Sequence, residues 1–244
     1  MKAILFSLAL IICFPAIGLA KDHEPYLSID ELPNGINYLP APPSTDSQRF
    51  FYDWSQYMWG KSLRDTPRGE MARQDAVCDA YRFAKIYSEV IDFEISEANT
   101  PFLFLLIGRT VDTALSAVKK AKNYHLRTRP YAQFHEHTLV PKDETTHHPQ
   151  KSFPSGHTSA GWSVALVLVE LFPEHQDDIL LRGYEYGQSR VIAGFHYQSD
   201  VDAARLAASA AIARLHADPE FMAAINQAKR EIQYIRDKKQ ANAQ

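Results

Sequence analysis

Cysteine is close to absent. The 244-residue chain holds two, Cys13 and Cys78. The first twenty residues read as a leader that carries Cys13 away, so no internal disulfide is expected in the remainder. Packing must then hold the fold, and Cys78 reads as a small buried hydrophobe, with a reactive or intermolecular thiol as the alternative. Glycine and proline are few, 10 and 14, which excludes collagen-like and low-complexity architectures. Neither charge sign dominates: 26 Lys and Arg oppose 29 Asp and Glu, a net charge of -3, so nothing argues for a nucleic-acid polymer as partner. Beyond the leader no run of about 18 consecutive apolar residues occurs, so no membrane insertion is expected once the leader is removed.

What is present fits one globular domain: 45% hydrophobic residues, enough to bury a core, and 23% charged. Met1-Lys2 is a short positive start, Ala3 to Ile17 is apolar apart from Ser7 and Pro15, and Gly18-Leu19-Ala20 offers the small residues a signal peptidase reads. Residues 1–20 are therefore expected to be a cleaved signal peptide, and residues 21–244 the domain. Loss of Lys2 takes the net charge from -3 to -4. An uncleaved anchor is the alternative. A lipoprotein at Cys13 is disfavoured by bulky Ile12.

The mature chain reads as helices. Residues 21–46, with Leu39-Pro40-Ala41-Pro42-Pro43, look like an extended surface arm. An aromatic helix is expected from Gln48 to Gly60, one or two helices over 67–98, and a helix from Pro101 to Lys122 with Phe102, Leu105, Leu106 and Val111 towards the core. Residues 130–153 read as a polar, His-rich loop. Thr158 to Leu171 is apolar nearly all round, as a central buried helix should be. Residues 176–216 read as further helix. The tail from Pro219 carries Phe221, Ile225, Ala228, Ile232 and Ile235 on one docking face. Trp54, Tyr57, Trp59 and Trp162 read as core. The fold class expected is all-α, a single helical bundle.

Three segments carry chemistry. Lys122, Arg127 and Arg129 precede Pro130 as a basic cluster, for which a solvated face is the plain alternative. Pro154-Ser155-Gly156-His157 opens the central helix: Ser155 is an N-cap, Gly156 permits close approach, and the helix N-terminus attracts an anion. Its plain alternative is a capped helix with a surface His. In Ser189-Arg190, His196 and Asp200, the last two stand four apart, so on a helix they would share a face. The carboxylate could then accept Nδ1–H and leave Nε2 free as a nucleophile. Here the plain alternative is a surface pair of little energetic weight. Together these segments offer cations, a helix N-terminus, two imidazoles and one carboxylate, an inventory for phosphoryl transfer.

The run Lys122-x6-Arg129-Pro130, Pro154-Ser155-Gly156-His157 and Ser189-Arg190-x5-His196-x3-Asp200, with 23 and 31 residues between its parts, resembles the signature of the type 2 phosphatidic acid phosphatase and vanadium haloperoxidase superfamily. Within it the chain is most similar to the bacterial class A non-specific acid phosphatases. The likeness runs from about Leu39-Pro40 to the tail and is strongest at 153–158 and 182–190. It implies the helical fold shared by acid phosphatases and vanadium-dependent haloperoxidases. It also implies a metal-independent, periplasmic acid phosphatase of broad specificity acting on small phosphate esters through a phosphohistidine, with no cofactor. In that scheme His196 attacks, Asp200 orients it, and His157 protonates the leaving alcohol. Lys122, Arg129 and Arg190 bind phosphate oxygens with Ser155 and the Gly156 amide. Family members commonly self-associate, which makes a homo-oligomer an option.

Several alternatives stay open on the same residues. A nucleotide diphosphohydrolase or a phosphotransferase would use the same site. Less favoured are a vanadate haloperoxidase, a lipid phosphatase and a non-catalytic phosphate-binding protein. The chain departs from relatives in having Ala193 and no Cys in 130–153, where a disulfide is often found. His135, His137, His147 and His148 could chelate zinc, but an exposed loop near the pocket mouth is the simpler reading. Tyr124 is a candidate contact for the organic part of a substrate.

Overall fold

A computed structural model describes residues 23–242; the expected signal peptide lies outside them. Among the described residues there is no strand. Ten helices follow in order: α1 Gln48–Ser62, α2 Pro67–Gln74, α3 Ala80–Ile91, α4 Pro101–Ala117, α5 Lys119–His125, α6 Pro130–Phe134, α7 Gly156–Leu171, α8 Gln176–Ile192, α9 Gln198–Leu215 and α10 Pro219–Asn242.

Local chemistry starts several of them. Ser47 caps α1 by accepting from the Phe50 amide at 3.1 Å, and Asp79 caps α3 through Arg82 N at 2.8 Å. Pro67 and Pro101 sit in the first turns of α2 and α4, where a missing N–H is harmless. Thr100 gives α4 no side-chain cap. Instead Glu231 of α10 reaches across and accepts from Phe102 N at 3.1 Å and Leu103 N at 2.9 Å. The tail thus caps another helix while burying Phe221, Ile225, Ala228 and Ile232, the face expected of it.

α7 is the axis of the bundle and packs on α4, α8 and α9. Ala160, Val164, Ala165 and Leu168 along it are fully covered, which agrees with the apolar pattern. Each large apolar side chain so buried contributes roughly 1.5–3 kcal/mol. α7 and α8 meet where side chains are missing. A Cβ on Gly161 would lie 2.4 Å from Tyr186 Cδ1, and one on Gly183 would lie 2.6 Å from Ala165 Cβ. Only glycine permits that approach, and it sets α7 close against α8 through their middle turns.

Several expectations are corrected. The helix from Pro101 stops at Ala117 and α5 begins at Lys119, with Leu126 at φ 46 ending it. The buried face of α4 runs through Leu103, Phe104, Leu106, Ile107 and Val111, so Phe102 and Leu105 on its other side are exposed. The stretch from Pro101 to Phe134 is apolar enough to resemble a membrane span by length and composition, and 67% of its most apolar window is buried within the fold. Trp54 and Trp59 are 40% and 46% exposed, while Tyr57 is buried. Trp162 is half-buried. The loop at 130–153 contains α6 and a 3-10 turn, Pro141–Thr145. The N-terminal arm, expected to lie extended on the surface, instead holds a 3-10 turn at Gly35–Asn37, and Tyr26, Leu27, Leu32 and Leu39 anchor it in the core. Tyr26 N donates to Thr113 Oγ1 at 2.9 Å, and the Arg109 guanidinium lies over the Tyr26 ring.

The break that matters most divides 176–216. α8 ends at Ile192, and residues 193–197 turn the chain before α9. Gly194 makes the turn with φ +85, and a Cβ there would lie 2.3 Å from Arg64 Nη2. Arg64 holds the turn by donating to the Ile192 carbonyl at 2.9 Å and the His137 carbonyl at 3.0 Å. Gly194→Ala therefore meets both a backbone conformation unfavourable to L-residues and a displaced guanidinium. The expected outcome is a melting temperature lowered by about 2–4 °C or more in thermal unfolding. An unchanged value would mean the turn relaxes freely.

Candidate active site

α5, the start of α7 and the α8–turn–α9 unit converge on one cup. Lys122 on α5 donates from Nζ to the carbonyls of Lys151 at 2.9 Å and Pro154 at 2.6 Å. Arg129 donates from Nε to the His148 carbonyl at 3.0 Å, from Nη1 to the Phe195 carbonyl at 3.0 Å and from Nη2 to the Lys151 carbonyl at 3.0 Å. Its Nη1 also lies 2.9 Å from His196 Nε2. Guanidinium has no acceptor, so Nε2 presents a lone pair and the hydrogen of this neutral imidazole sits on Nδ1.

Nδ1 faces Asp200 Oδ2 at 3.4 Å, a loose contact of the kind that tightens when a ligand arrives. The expectation that the two share a helix face is wrong in its reason. His196 lies in the turn, and Asp200 in the first turn of α9, where Oδ2 accepts from Tyr197 N at 2.9 Å. The chain bends back on itself to bring the two groups together. Burial works to raise the Asp200 carboxyl, but Arg127 and the bonds from His196 and Ser152 hold it well below the ordinary range. Asp200 is thus ionised throughout mildly acidic conditions.

Arg127, part of the basic cluster for which a solvated face is the plain alternative, is largely buried. It donates to Asp200 Oδ1 at 2.6 Å from Nη1 and to Asp53 Oδ2 at 2.6 Å from Nη2. Asp53 also accepts from Ser199 N at 2.8 Å and Ser199 Oγ at 2.6 Å, and Ser152 Oγ donates to Asp200 Oδ2 at 2.5 Å. Sequence reasoning missed Asp53 and Ser152. The available signal for Asp53 was a lone carboxylate inside the aromatic helix α1.

At the opposite wall, His157 stands one residue after Gly156 in the first turn of α7. Ser155 Oγ accepts from Thr158 N at 3.3 Å and from Thr158 Oγ1 at 2.9 Å, which fills its acceptor sites and leaves its O–H free to donate. Ser155 N donates to the Asp200 carbonyl at 3.1 Å and ties the two helix starts together. The amides of Gly156 and His157 have no intrahelical acceptor, as at any helix N-terminus. His157 Nε2 donates to the Ala76 carbonyl at 3.0 Å, so Nδ1 is the atom left for proton transfer. Burial, then the charge of Arg190, holds His157 well below its usual value; burial and Arg129 do the same for His196. Lys122 is pushed down to about 7 by burial, with Arg129 adding to it.

Arg190 is the anomaly. Its side chain is fully buried against the face of Phe195, 4.5 Å from guanidinium carbon to ring centre, and among the described residues none of its three nitrogens has a hydrogen-bond partner. The preceding Ser189 is firmly held: its Oγ donates to Asp75 Oδ2 at 2.7 Å, and Asp75 in turn takes Arg82 at 3.0 Å and Arg182 at 2.5 Å. A buried, unpaired cation is unstable unless an anion completes it. The cup is built for an anion with several oxygens.

All eight sequence-predicted site residues, Lys122, Arg129, Ser155, Gly156, His157, Arg190, His196 and Asp200, are gathered around this cup. Tyr124 is 66% exposed and does not join their hydrogen bonds. The loop histidines go separate ways: His137 Nδ1 faces Glu144 Oε2 at 3.2 Å, His148 Nδ1 accepts from Gln150 N at 3.2 Å, and His147 packs on His157. Among the described residues no three His, Cys, Asp or Glu side chains form a metal-binding group.

Comparison with known proteins gives a match to the PAP2 superfamily over residues 101–220. A non-specific acid phosphatase of Providencia stuartii is 44% identical over 207 residues, 84% of each chain. A non-specific acid phosphatase of Salmonella typhimurium is 37% identical over 214 residues, 87% of this chain and 86% of its own. An acid phosphatase of Zymomonas mobilis is 36% identical over 199 residues, 82% and 75% respectively. Asp53, Asp75 and Ala76 lie before the superfamily match, so the surroundings of the cup extend beyond it.

Two outcomes follow from the geometry. Arg190→Met replaces an unpaired buried cation by an apolar side chain. In phosphate-free buffer it should melt at or above the wild type, by up to about 1–4 kcal/mol in stability. Inorganic phosphate should then raise the melting temperature of the wild type only; a variant that melts lower without phosphate would mean the guanidinium is already satisfied. Asp53→Asn removes one of the two carboxylates that hold Arg127. Steady-state kinetics should show kcat down about tenfold, as for one lost charge-assisted hydrogen bond, with KM within about threefold. A change in KM alone would place Asp53 in binding instead.

Proposed function

Because this chain belongs to the PAP2 superfamily and has non-specific acid phosphatases as relatives along most of its length, we propose that it hydrolyses small phosphate monoesters through a phosphohistidine. It is an acid phosphatase. The observation that carries the mechanism is the buried, unpartnered Arg190 beside an imidazole whose lone pair faces the same cup.

The steps follow from the atoms available. The phosphate oxygens take Lys122, Arg129 and Arg190, with the Ser155 hydroxyl and the Gly156 amide. Arg129 now donates to His196 Nε2; a phosphate oxygen is the stronger acceptor and draws it away, which frees the lone pair. Nε2 attacks phosphorus as the ester P–O bond breaks, and His157 Nδ1–H gives its proton to the departing oxygen. Asp200 stabilises the charge left on the imidazole through Nδ1–H. Water then attacks phosphorus, His157 Nδ1 takes its proton, and the P–N bond breaks to release phosphate and restore His196. Low pH favours the protonated His157 that the first step needs, and the arriving phosphate charge raises it further.

Three side-chain cations supply the charge that a metal supplies in other phosphatases, so we assign the reaction no metal and no cofactor. Catalysis should survive EDTA. The relatives and the leader-like N-terminus support a secreted or periplasmic location, with the periplasm our reading. Among the described residues Cys78 is the one cysteine and it is free, which suits a fold held by packing.

The decisive experiment uses the mature chain with EDTA present. p-Nitrophenyl phosphate should be hydrolysed at the unchelated rate, and rapid quench should trap an acid-labile phosphohistidine that His196→Ala cannot form. His157→Asn should lose about 10²–10⁴ in kcat with glycerol 2-phosphate and less with p-nitrophenyl phosphate, whose leaving group needs little protonation. Equal losses with both esters would remove His157 from the acid role, and persistence of the phosphoenzyme in His196→Ala would overturn the scheme.

A further inference from the structure

The loop before α7 brings to the cup a histidine that these steps do not use. The His147 ring centre lies 5.7 Å from that of His157, tilted by 41°, and 5.0 Å from that of Phe195, tilted by 48°. The loop holds it there through its own backbone. His147 Nδ1 donates to the Asp143 carbonyl at 2.8 Å, His147 N donates to the same carbonyl at 3.2 Å, and the Tyr131 hydroxyl donates to the His147 carbonyl at 2.9 Å. Phe195 is fully buried and also carries the Arg190 guanidinium, 4.5 Å from its ring centre. His147 itself is half-buried, so part of it is open to whatever enters.

Position decides what that ring can touch. His157 donates to the ester oxygen, so the group attached to that oxygen must leave the cup on the His157 side. His147 is the ring packed against His157. Burial, together with the charges of Arg190 and Arg129, favours its neutral form, a flat ring rather than a cation. A neutral, backbone-fixed ring is a poor phosphate ligand and a good wall for another flat group.

Resting on the phosphatase reading above, we propose that His147 lines the leaving-group subsite and favours phosphate esters whose alcohol carries a flat ring, aryl or nucleoside, over small alkyl esters. Of the eight signature positions only His157 and His196 carry rings, and both are committed to the reacting atoms. The loop that carries it is one of the two stretches that the signature leaves unspecified.

Phosphonates test this without turnover. Calorimetry at one acid pH, with phenylphosphonate and methylphosphonate both monoanionic, would compare wild type, His147→Ala and His147→Phe. The wild type should bind phenylphosphonate more tightly. His147→Ala should weaken that binding roughly threefold to tenfold and leave methylphosphonate within about twofold, and His147→Phe should restore the preference. Equal weakening of both ligands, no weakening of either, or no preference in the wild type would each overturn the proposal. If the preference behaves as expected but the wild type hydrolyses no ester, the phosphatase reading fails and the subsite stands.

Discussion

An arginine with no hydrogen-bond partner among the described residues, sealed inside a helical bundle, is the constraint around which this molecule is arranged. Left alone, a buried guanidinium should withdraw to water or find a carboxylate. Arg190 can do neither. Ser189 before it is fixed to Asp75, Phe195 covers one face, and the glycine contacts of α7 with α8 leave the helix no room to shift. The rest of the fold must outweigh that unfavourable placement, and the long apolar faces of α4, α7 and α10 supply the packing to do so. Stability is traded here for a site that is incomplete until an anion enters.

The cations near the cup divide by partner. Arg127, Arg82 and Arg182 are held by carboxylates of Asp53, Asp200 and Asp75. Lys122 and Arg129 make their hydrogen bonds to neutral carbonyls or to an imidazole, and Arg190 makes none. The first group is locked and braces the scaffold. The second keeps its charge unspent, aimed and available, because a carbonyl orients a cation without neutralising it. A near-neutral chain can therefore present a strongly positive cup, which is why net charge said nothing useful about the ligand.

The cup was legible in the sequence because its members recur at fixed spacings in three short runs. The helices were legible because burial imposes a period, as in α7 and the Phe221–Ile232 face. What escaped notice depends on contacts between distant segments. Asp53 meets Arg127 across 74 positions, and Ala76 meets His157 across 81. No local pattern records such a meeting, so a solvated face stayed open for Arg127. Helix-wide periodicity also misled at the ends: it carried 176–216 straight through the turn that holds His196, and it assigned Phe102 and Leu105 to a core that α4 turns away from them. The prior that aromatic residues are buried likewise failed for Trp54 and Trp59.

The α8–turn–α9 unit sets Arg190, His196 and Asp200 within a single short stretch of chain, so their mutual placement is a local matter of low contact order. They can find one another as soon as two neighbouring helices fold back at Gly194, whereas Lys122, Arg129 and the histidine-rich loop must arrive from elsewhere. That loop still braces the nucleophilic half, because Ser152 Oγ donates to Asp200 Oδ2 at 2.5 Å and Leu139 N donates to the Ala193 carbonyl at 2.9 Å. Descendants of this scaffold that exchange the loop's middle, and with it the range of molecules they accept, must keep those two ties for the reacting imidazole to stay where it is.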